Sequence, residues 1–167
     1  MDFVIRAALP EEYELLGEIT AQAYLADGHL DFGEDDEYLH VLRDVAGRAA
    51  AAEVLVAVDA SGTLLGGVTF VPSGGPWADI ARAGEAEFRA LAVAHEARGR
   101  GVGEALVRAC VERARAAPGC VRIMLSTQAG MATAHRIYER LGFVRTPERD
   151  WKPIPDMDPL LTYGLEL

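Results

Sequence analysis

Between Arg98 and Gly103 the chain reads Arg-Gly-Arg-Gly-Val-Gly, a pattern suited to holding phosphate. A glycine-rich turn that opens a helix leaves several amide N–H groups without intrahelical partners and aims them at one point in space. Arg98 and Arg100 add positive charge beside that point. The helix that must follow is legible in the apolar spacing of Val102, Leu106, Ala109, Cys110 and Ala114. The run from Glu87 to Val93, short, apolar and bounded upstream by Gly84, reads as the buried strand that must precede it. Two common phosphate devices do not fit. A P-loop needs Gly-Lys-Ser/Thr, which is absent, and the dinucleotide fingerprint needs a third glycine where Leu106 stands.

Arg98, Gly101 and Gly103 together meet R-x-x-G-x-G, which resembles the pyrophosphate loop of the GNAT superfamily of acyl-CoA-dependent N-acyltransferases. Leu91-Ala92-Val93 resembles that family's strand, whose backbone amides face the pantetheine arm and the thioester. A second signature lies downstream, where Ala134, Tyr138, Gly142 and Phe143 meet A-x-x-x-Y-x-x-x-G-F. The two occur in order and at a fitting separation, and the resemblance spans essentially the whole chain. It implies acetyl-CoA as acyl donor, held by Leu91, Ala92, Val93, Arg98, Gly99, Arg100, Gly101, Val102 and Gly103. It also implies a GNAT fold, an α/β (α+β) domain with a central mixed, mostly antiparallel sheet, flanking helices and a splayed parallel strand pair at the cofactor.

Acetyl transfer from a thioester to an amine has three needs: a proton acceptor for the amine, a donor for the carbonyl oxygen, and a proton for the departing thiolate. Tyr138 resembles the family's tyrosine that donates to the sulfur, and a phenol of pKa about 10 is protonated at neutral pH. Its other role would be an amphipathic core position. A backbone amide near Leu91 to Val93 would serve the oxygen if the strand carries a bulge. Glu87 matches the position of the base glutamate in the family's histone-acetylating members, with Glu85 or water as competitors. Without a bulge, alternation would set Glu87, Arg89, Leu91 and Val93 on one face. Where the family often has an asparagine, seven residues before the tyrosine, this chain has Met131, so Ser126, Thr127 or Gln128 is left to bond the pantetheine.

The elements that position these groups are readable in order. Phe3 to Ala7 is a strand, and Pro10-Glu11-Glu12 opens a helix with Leu15, Leu16, Ile19, Ala23 and Tyr24 inward. An acidic loop follows, carrying Asp27, Asp31, Glu34, Asp35, Asp36 and Glu37, and then a second helix over about 36–50. Glu53 to Val58 and Leu64 to Val71 form a hairpin around Asp59-Ala60-Ser61-Gly62. After the phosphate loop and its helix come a strand at Val121 to Leu125, a helix at Met131 to Leu141, a strand starting at Phe143, and a final strand at Leu160 to Leu167. Nothing divides the chain, so residues 1–167 read as one domain.

The 167 residues are half hydrophobic and a quarter charged, ordinary for a globular protein. A net charge of -10 argues against nonspecific nucleic-acid binding and is compatible with a cationic or amine substrate. Cys110 and Cys120 make neither a disulfide framework nor a metal site, and no histidine has ligand spacing. No signal peptide or membrane span is evident, which implies a cytoplasmic protein. The acceptor side is open to the acidic loop and to Tyr24, Phe32, Tyr38 and Trp77. Arg149-Asp150-Trp151 is placed for acceptor contact or for the edge of a homodimer. The expected function is acetyl transfer to a primary amine by direct attack in a ternary complex. The alternative is a non-catalytic acyl-CoA sensor.

Overall fold

A computed structural model describes residues 2–30 and 32–167. Seven strands make one sheet: β1 Phe3–Ala7, β2 Glu53–Asp59, β3 Leu64–Val71, β4 Glu85–Val93, β5 Arg122–Thr127, β6 Val144–Arg145 and β7 Leu161–Glu166. Their order across the sheet is β1-β2-β3-β4-β5-β7-β6, and only β4 and β5 run parallel. The helices are α1 Tyr13–Ala26, α2 Tyr38–Arg43, α3 Val45–Ala51, α4 Val102–Ala116 and α5 Ala132–Arg140. The β2–β3 hairpin turns where Asp59 Oδ1 accepts the amides of Ser61 and Thr63 at 2.9 and 3.0 Å.

Alternation in β2 divides the core into two layers. Leu55 and Ala57 face α4, joining Phe70, Phe88, Leu106 and Cys110, while Val54, Val56 and Val58 face the other side with Leu16 and Val45. β3 is buried along its whole length, as a central strand covered on both faces must be. The approach is close enough to demand glycine. A Cβ on Gly66 would lie 2.4 Å from the Ala92 carbonyl, and one on Gly67 would lie 2.7 Å from Leu16 Cδ1.

Two helices depart from the expected reading. α1 buries Leu16, Gly17, Thr20 and Ala21, while Leu15 is 56% exposed. Its contact stripe is made of small residues because α2 crosses closely, and a Cβ on Gly17 would sit 2.8 Å from the Arg43 carbonyl. The helix expected over 36–50 is two, broken at Asp44, whose carboxylate caps α3 through the Gly47 amide at 2.9 Å. Arg48 returns beneath α2, where its buried guanidinium bonds the carbonyls of Val41 and Leu42 and the hydroxyl of Thr69. Among the described residues no helix is long and apolar enough to cross a membrane.

Candidate active site

β4 and β5 pair only from Glu85↔Arg122 to Glu87↔Met124, then diverge. Beyond Glu87, β4 therefore has no ladder partner on its β5 side, and its polar backbone groups face an opening. A bulge reshapes the same stretch. The β3–β4 register passes from Thr69↔Arg89 to Gly67↔Ala92, so Ala90 and Leu91 stand opposite the single Val68. Ala90 is the one non-glycine residue with positive φ, at +56° among the described residues. The bulge breaks the one-face grouping of Glu87, Arg89, Leu91 and Val93. Glu87 and Arg89 reach toward Asp79, Trp77 and Tyr38, whereas Leu91 and Val93 pack with Phe88 on the α4 side.

The glycine loop leads into α4, whose start packs against the end of β4 and α5, while residues 98–103 themselves lie outside the lining of the cavity between the parted strands. Gly99 and Gly101 have φ of +81° and +79° with open space where a Cβ would stand, so the backbone alone requires glycine there. Gly101 is the N-cap of α4 and has no side chain to satisfy the first-turn amides. Gly103 has a different reason, since its Cβ would stand 3.4 Å from Ile137 and 3.6 Å from Val93, where α4 closes on α5 and β4. Both loop arginines are engaged. Arg98 makes a two-pronged pair with Asp27 at 3.0 and 2.6 Å, and Arg100 bonds Asp2 at 2.5 Å. Glu104 in the first turn of α4 is turned to Arg140 and Arg108.

The splayed strands open into a cavity of about 740 Å³, walled by α1, α2, β4, the end of β5, α5 and the segment 151–160; of the expected donor-binding residues Leu91 alone is in its lining. Tyr138, 4% exposed, packs its ring against Phe88, Phe143 and Tyr163 at centroid distances of 5.8, 6.0 and 5.8 Å. Its hydroxyl takes no hydrogen bond from the described residues and faces this cavity. Burial pushes the phenol well above the ordinary tyrosine value, so it stays a donor at neutral pH.

The sequence profile of the acetyltransferase (GNAT) family matches residues 13–143. The chain belongs to the GNAT acetyltransferase family. Among curated proteins none matches significantly. Solved structures resemble it over nearly all its length. Salmonella typhimurium yncA, solved with its cofactor acetyl-CoA, is 19% identical at TM-score 0.74, covering 100% of this chain and 95% of that one. A phosphinothricin acetyltransferase from Sinorhizobium meliloti, in complex with acetyl-CoA, is 19% identical at TM-score 0.72, covering 100% and 89%. The spermidine N-acetyltransferase of Vibrio cholerae, with CoA and spermine, is 17% identical at TM-score 0.71, covering 99% and 95%. At these identities the likeness is one of fold.

In this GNAT domain the two candidate glutamates have different surroundings. Glu87, 1% exposed, lines the cavity and accepts the amides of Asp79, Ile80 and Ala81 at 2.9 to 3.1 Å. Burial raises its proton affinity and those amides oppose the rise, with burial prevailing. Three amides bond Oε1 and one bonds Oε2, which keeps capacity for a further bond. Glu85 is outside the cavity lining, bound by Arg149 at 2.8 and 2.9 Å, and that bonding holds its carboxyl below the usual range.

Met131 stands on the wall, where its sulfur takes the Thr127 hydroxyl at 3.3 Å. Ser126 accepts the Trp151 indole N–H at 2.9 Å, and the Gln128 side chain donates to the His29 carbonyl. His135 Nε2 is 2.9 Å from the Gln128 carbonyl.

Of the expected acceptor residues, Tyr24, Phe32 and Tyr38 line the cavity, but Trp77 does not. Its indole donates to the Gly47 carbonyl at 3.2 Å and its ring lies under Arg89. In the acidic loop, Asp36 accepts the Tyr38 amide at 2.9 Å, and Asp31 lies outside the described residues. Arg89 and Asp79, paired at 3.0 Å inside the cavity, were not foreseen. The available signal was an arginine in the middle of a strand whose neighbours Phe88 and Ala90 are apolar. Ile154 and Met157, which reach the cavity from the proline-rich stretch closed by the Trp151↔Leu160 bridge, carried no signal. Among the described residues no histidine, cysteine or carboxylate cluster could hold a metal ion.

Proposed function

We propose that this chain transfers an acetyl group from acetyl-CoA to the nitrogen of a primary amine by direct attack, with both molecules bound. The observation that carries the reading is the Tyr138 hydroxyl, unpartnered among the described residues and facing a cavity that opens between parted strands, on the helix against which the glycine-rich start of α4 packs. The residues present fit the donor. Arg98, Gly99, Arg100, Gly101, Val102 and Gly103 offer charge and free amides to a pyrophosphate. Leu91, Ala92 and Val93, with no strand on their β5 side, offer backbone groups to an amide-bearing arm.

Acetyl-CoA, when bound, supplies the activated thioester. Tyr138 donates its phenolic proton to the departing sulfur. Backbone amides of the bulged strand donate to the carbonyl oxygen. Glu87 accepts the amine's proton at Oε2, directly or through a water, and its raised proton affinity suits it to that task better than an ordinary carboxylate. Covalent relay through sulfur is disfavoured, because Cys110 is buried in the α4 core, its thiol raised by burial, and neither cysteine lines the cavity.

The test is calorimetric titration with acetyl-CoA, with CoA and ATP as controls, followed by a panel of amines with thiol release monitored. Binding of acetyl-CoA with amine-dependent release supports the reading. Failure to bind acetyl-CoA overturns it.

A further inference from the structure

The charges inside the cavity speak to what kind of amine it takes, an inference that rests on the acetyl-transfer reading above. Arg89 is the only arginine or lysine among the described residues lining the cavity. It is already neutralised, with Asp79 at 3.0 Å, the Trp77 carbonyl at 2.8 Å and the Tyr38 hydroxyl at 3.1 Å. Burial also lowers the proton affinity of His29, which keeps it neutral near pH 7. A carboxylate carried in by the acceptor would therefore find no free cation.

The interior anions are not all neutralised. Asp79 is paired with Arg89, but Glu87 and Asp36 are bonded by neutral amides that leave their charge in place. Asp35 and Glu37, which are exposed and have no side-chain partner among the described residues, add two carboxylates at the rim. A carboxylate carried inside would be desolvated among these charges without a free cation, which is costly. Apart from Ser126, Thr127 and Gln128, the rest of the wall is largely apolar or aromatic, with Tyr24, Leu30, Val41, Ile154, Met157 and Leu160.

We infer that the acceptor is a primary amine on an apolar body, aryl or alkyl, drawn in by the carboxylates of the cavity and its rim and selected against amino acids by the lack of a free cation within. The rim gives long-range attraction for a cation, and the apolar wall gives affinity for the body behind it. Specificity of this kind arises from charges left unpaired by the wrong ligand.

A matched pair tests it: 2-phenylethylamine and L-phenylalanine differ by a carboxylate. Affinities are measured calorimetrically on the full chain loaded with CoA, and kcat/KM is measured with acetyl-CoA. The amine without the carboxylate is expected to bind at least about tenfold tighter, with the same order in kcat/KM where turnover is seen. Equal or tighter binding of phenylalanine overturns the inference, while acetyl-CoA binding measured alone reports separately on the acetyl-transfer reading. A Met157→Lys variant, which adds an uncommitted ammonium to the wall, should move the ratio several-fold toward phenylalanine. An unmoved ratio in a variant with unchanged melting temperature also counts against it.

Discussion

Arg98 is committed to Asp27 while its sequence context assigns it to a pyrophosphate, so the two must compete. The pair joins the glycine loop to the end of α1 through two bonds of 3.0 and 2.6 Å, with both side chains between a third and two-fifths exposed. Pairs exposed to that degree contribute about 0.2–1 kcal/mol. Removing the competitor with Asp27→Asn should tighten acetyl-CoA by about 1.4- to 5-fold, at about 1.4 kcal/mol per factor of ten. Removing the arginine is a larger change. Arg98→Ala deletes charge-assisted bonds of about 1.5–3 kcal/mol and should weaken binding about 10- to 100-fold.

The pH dependence has a definite sign. Bonding to Arg98 lowers the Asp27 carboxyl, so the pair is complete above the ordinary aspartate value and is lost as pH falls through the lowered one. The advantage of Asp27→Asn should therefore vanish in acid, and should shrink with added salt. Calorimetric titration of the two variants and the parent at several pH values decides the matter. If Asp27→Asn does not tighten binding and Arg98→Ala leaves it unchanged, Arg98 is a structural tie and the assignment of the loop is wrong.

The proposed chemistry and the surrounding ion pairs give three more tests. Tyr138→Phe should lower turnover by about 100-fold or more, the usual worth of a positioned proton donor, with acetyl-CoA affinity nearly unchanged by calorimetry. In the parent, kcat/KM should rise with pH through an apparent value above that of an ordinary glutamate, because burial raises Glu87; that limb should disappear in Glu87→Gln. The same substitution offers one oxygen where the carboxylate's two accept four bonds, so thermal melts should fall by roughly 2–10 °C for a loss of about 1–3 kcal/mol. Arg149→Ala leaves the buried Glu85 with only the Arg82 amide and a longer contact to Arg122 at 3.5 Å, and should cost up to about 3 kcal/mol in denaturant unfolding. Because Arg149 holds Glu85 low, the parent keeps that stability above the usual carboxylate range and loses it only as pH falls through the lowered value, so acid unfolding of the variant should begin at higher pH.

What could be read from the chain was set by local chemistry. Glycines at 99 and 101 announce left-handed backbone, and α4 is legible because its apolar stripe coincides with its buried one. α1 misled because its contact face is Gly17, Thr20 and Ala21, chosen for closeness rather than hydrophobicity, so counting apolar residues points to the exposed Leu15. The break at Asp44 was missed because aspartate inside a helical pattern looks like a solvated residue unless the amide it caps is known. Tyr138 was found through the spacing of a motif; a bare tyrosine on an amphipathic helix would have looked like core, and by burial it is core. Arg89, Ile154 and Met157 escaped because the cavity is assembled from segments more than sixty residues apart, whose meeting no local period encodes.

The bulge shows how one backbone irregularity serves two requirements that a regular strand sets against each other. β4 must stay bonded to β3 along nearly its full length, or the central sheet loses its continuity. It must also present Glu87 and Arg89 to the cavity beside Asp79 and Leu91 and Val93 to the α4 side of the core, which strict alternation forbids. One extra residue opposite Val68 shifts the alternation by one position and reconciles the two. The strain falls on Ala90, where a left-handed backbone costs a non-glycine residue about 1–2 kcal/mol. The neighbours hold it there: Ala90 is buried on the β4 segment facing the cavity, and the Gly66–Ala92 contact leaves β3 no room to follow a straighter path. The splay from β5 begins at Glu87, three residues before this point, so the strand is released from one neighbour before it is re-aimed against the other.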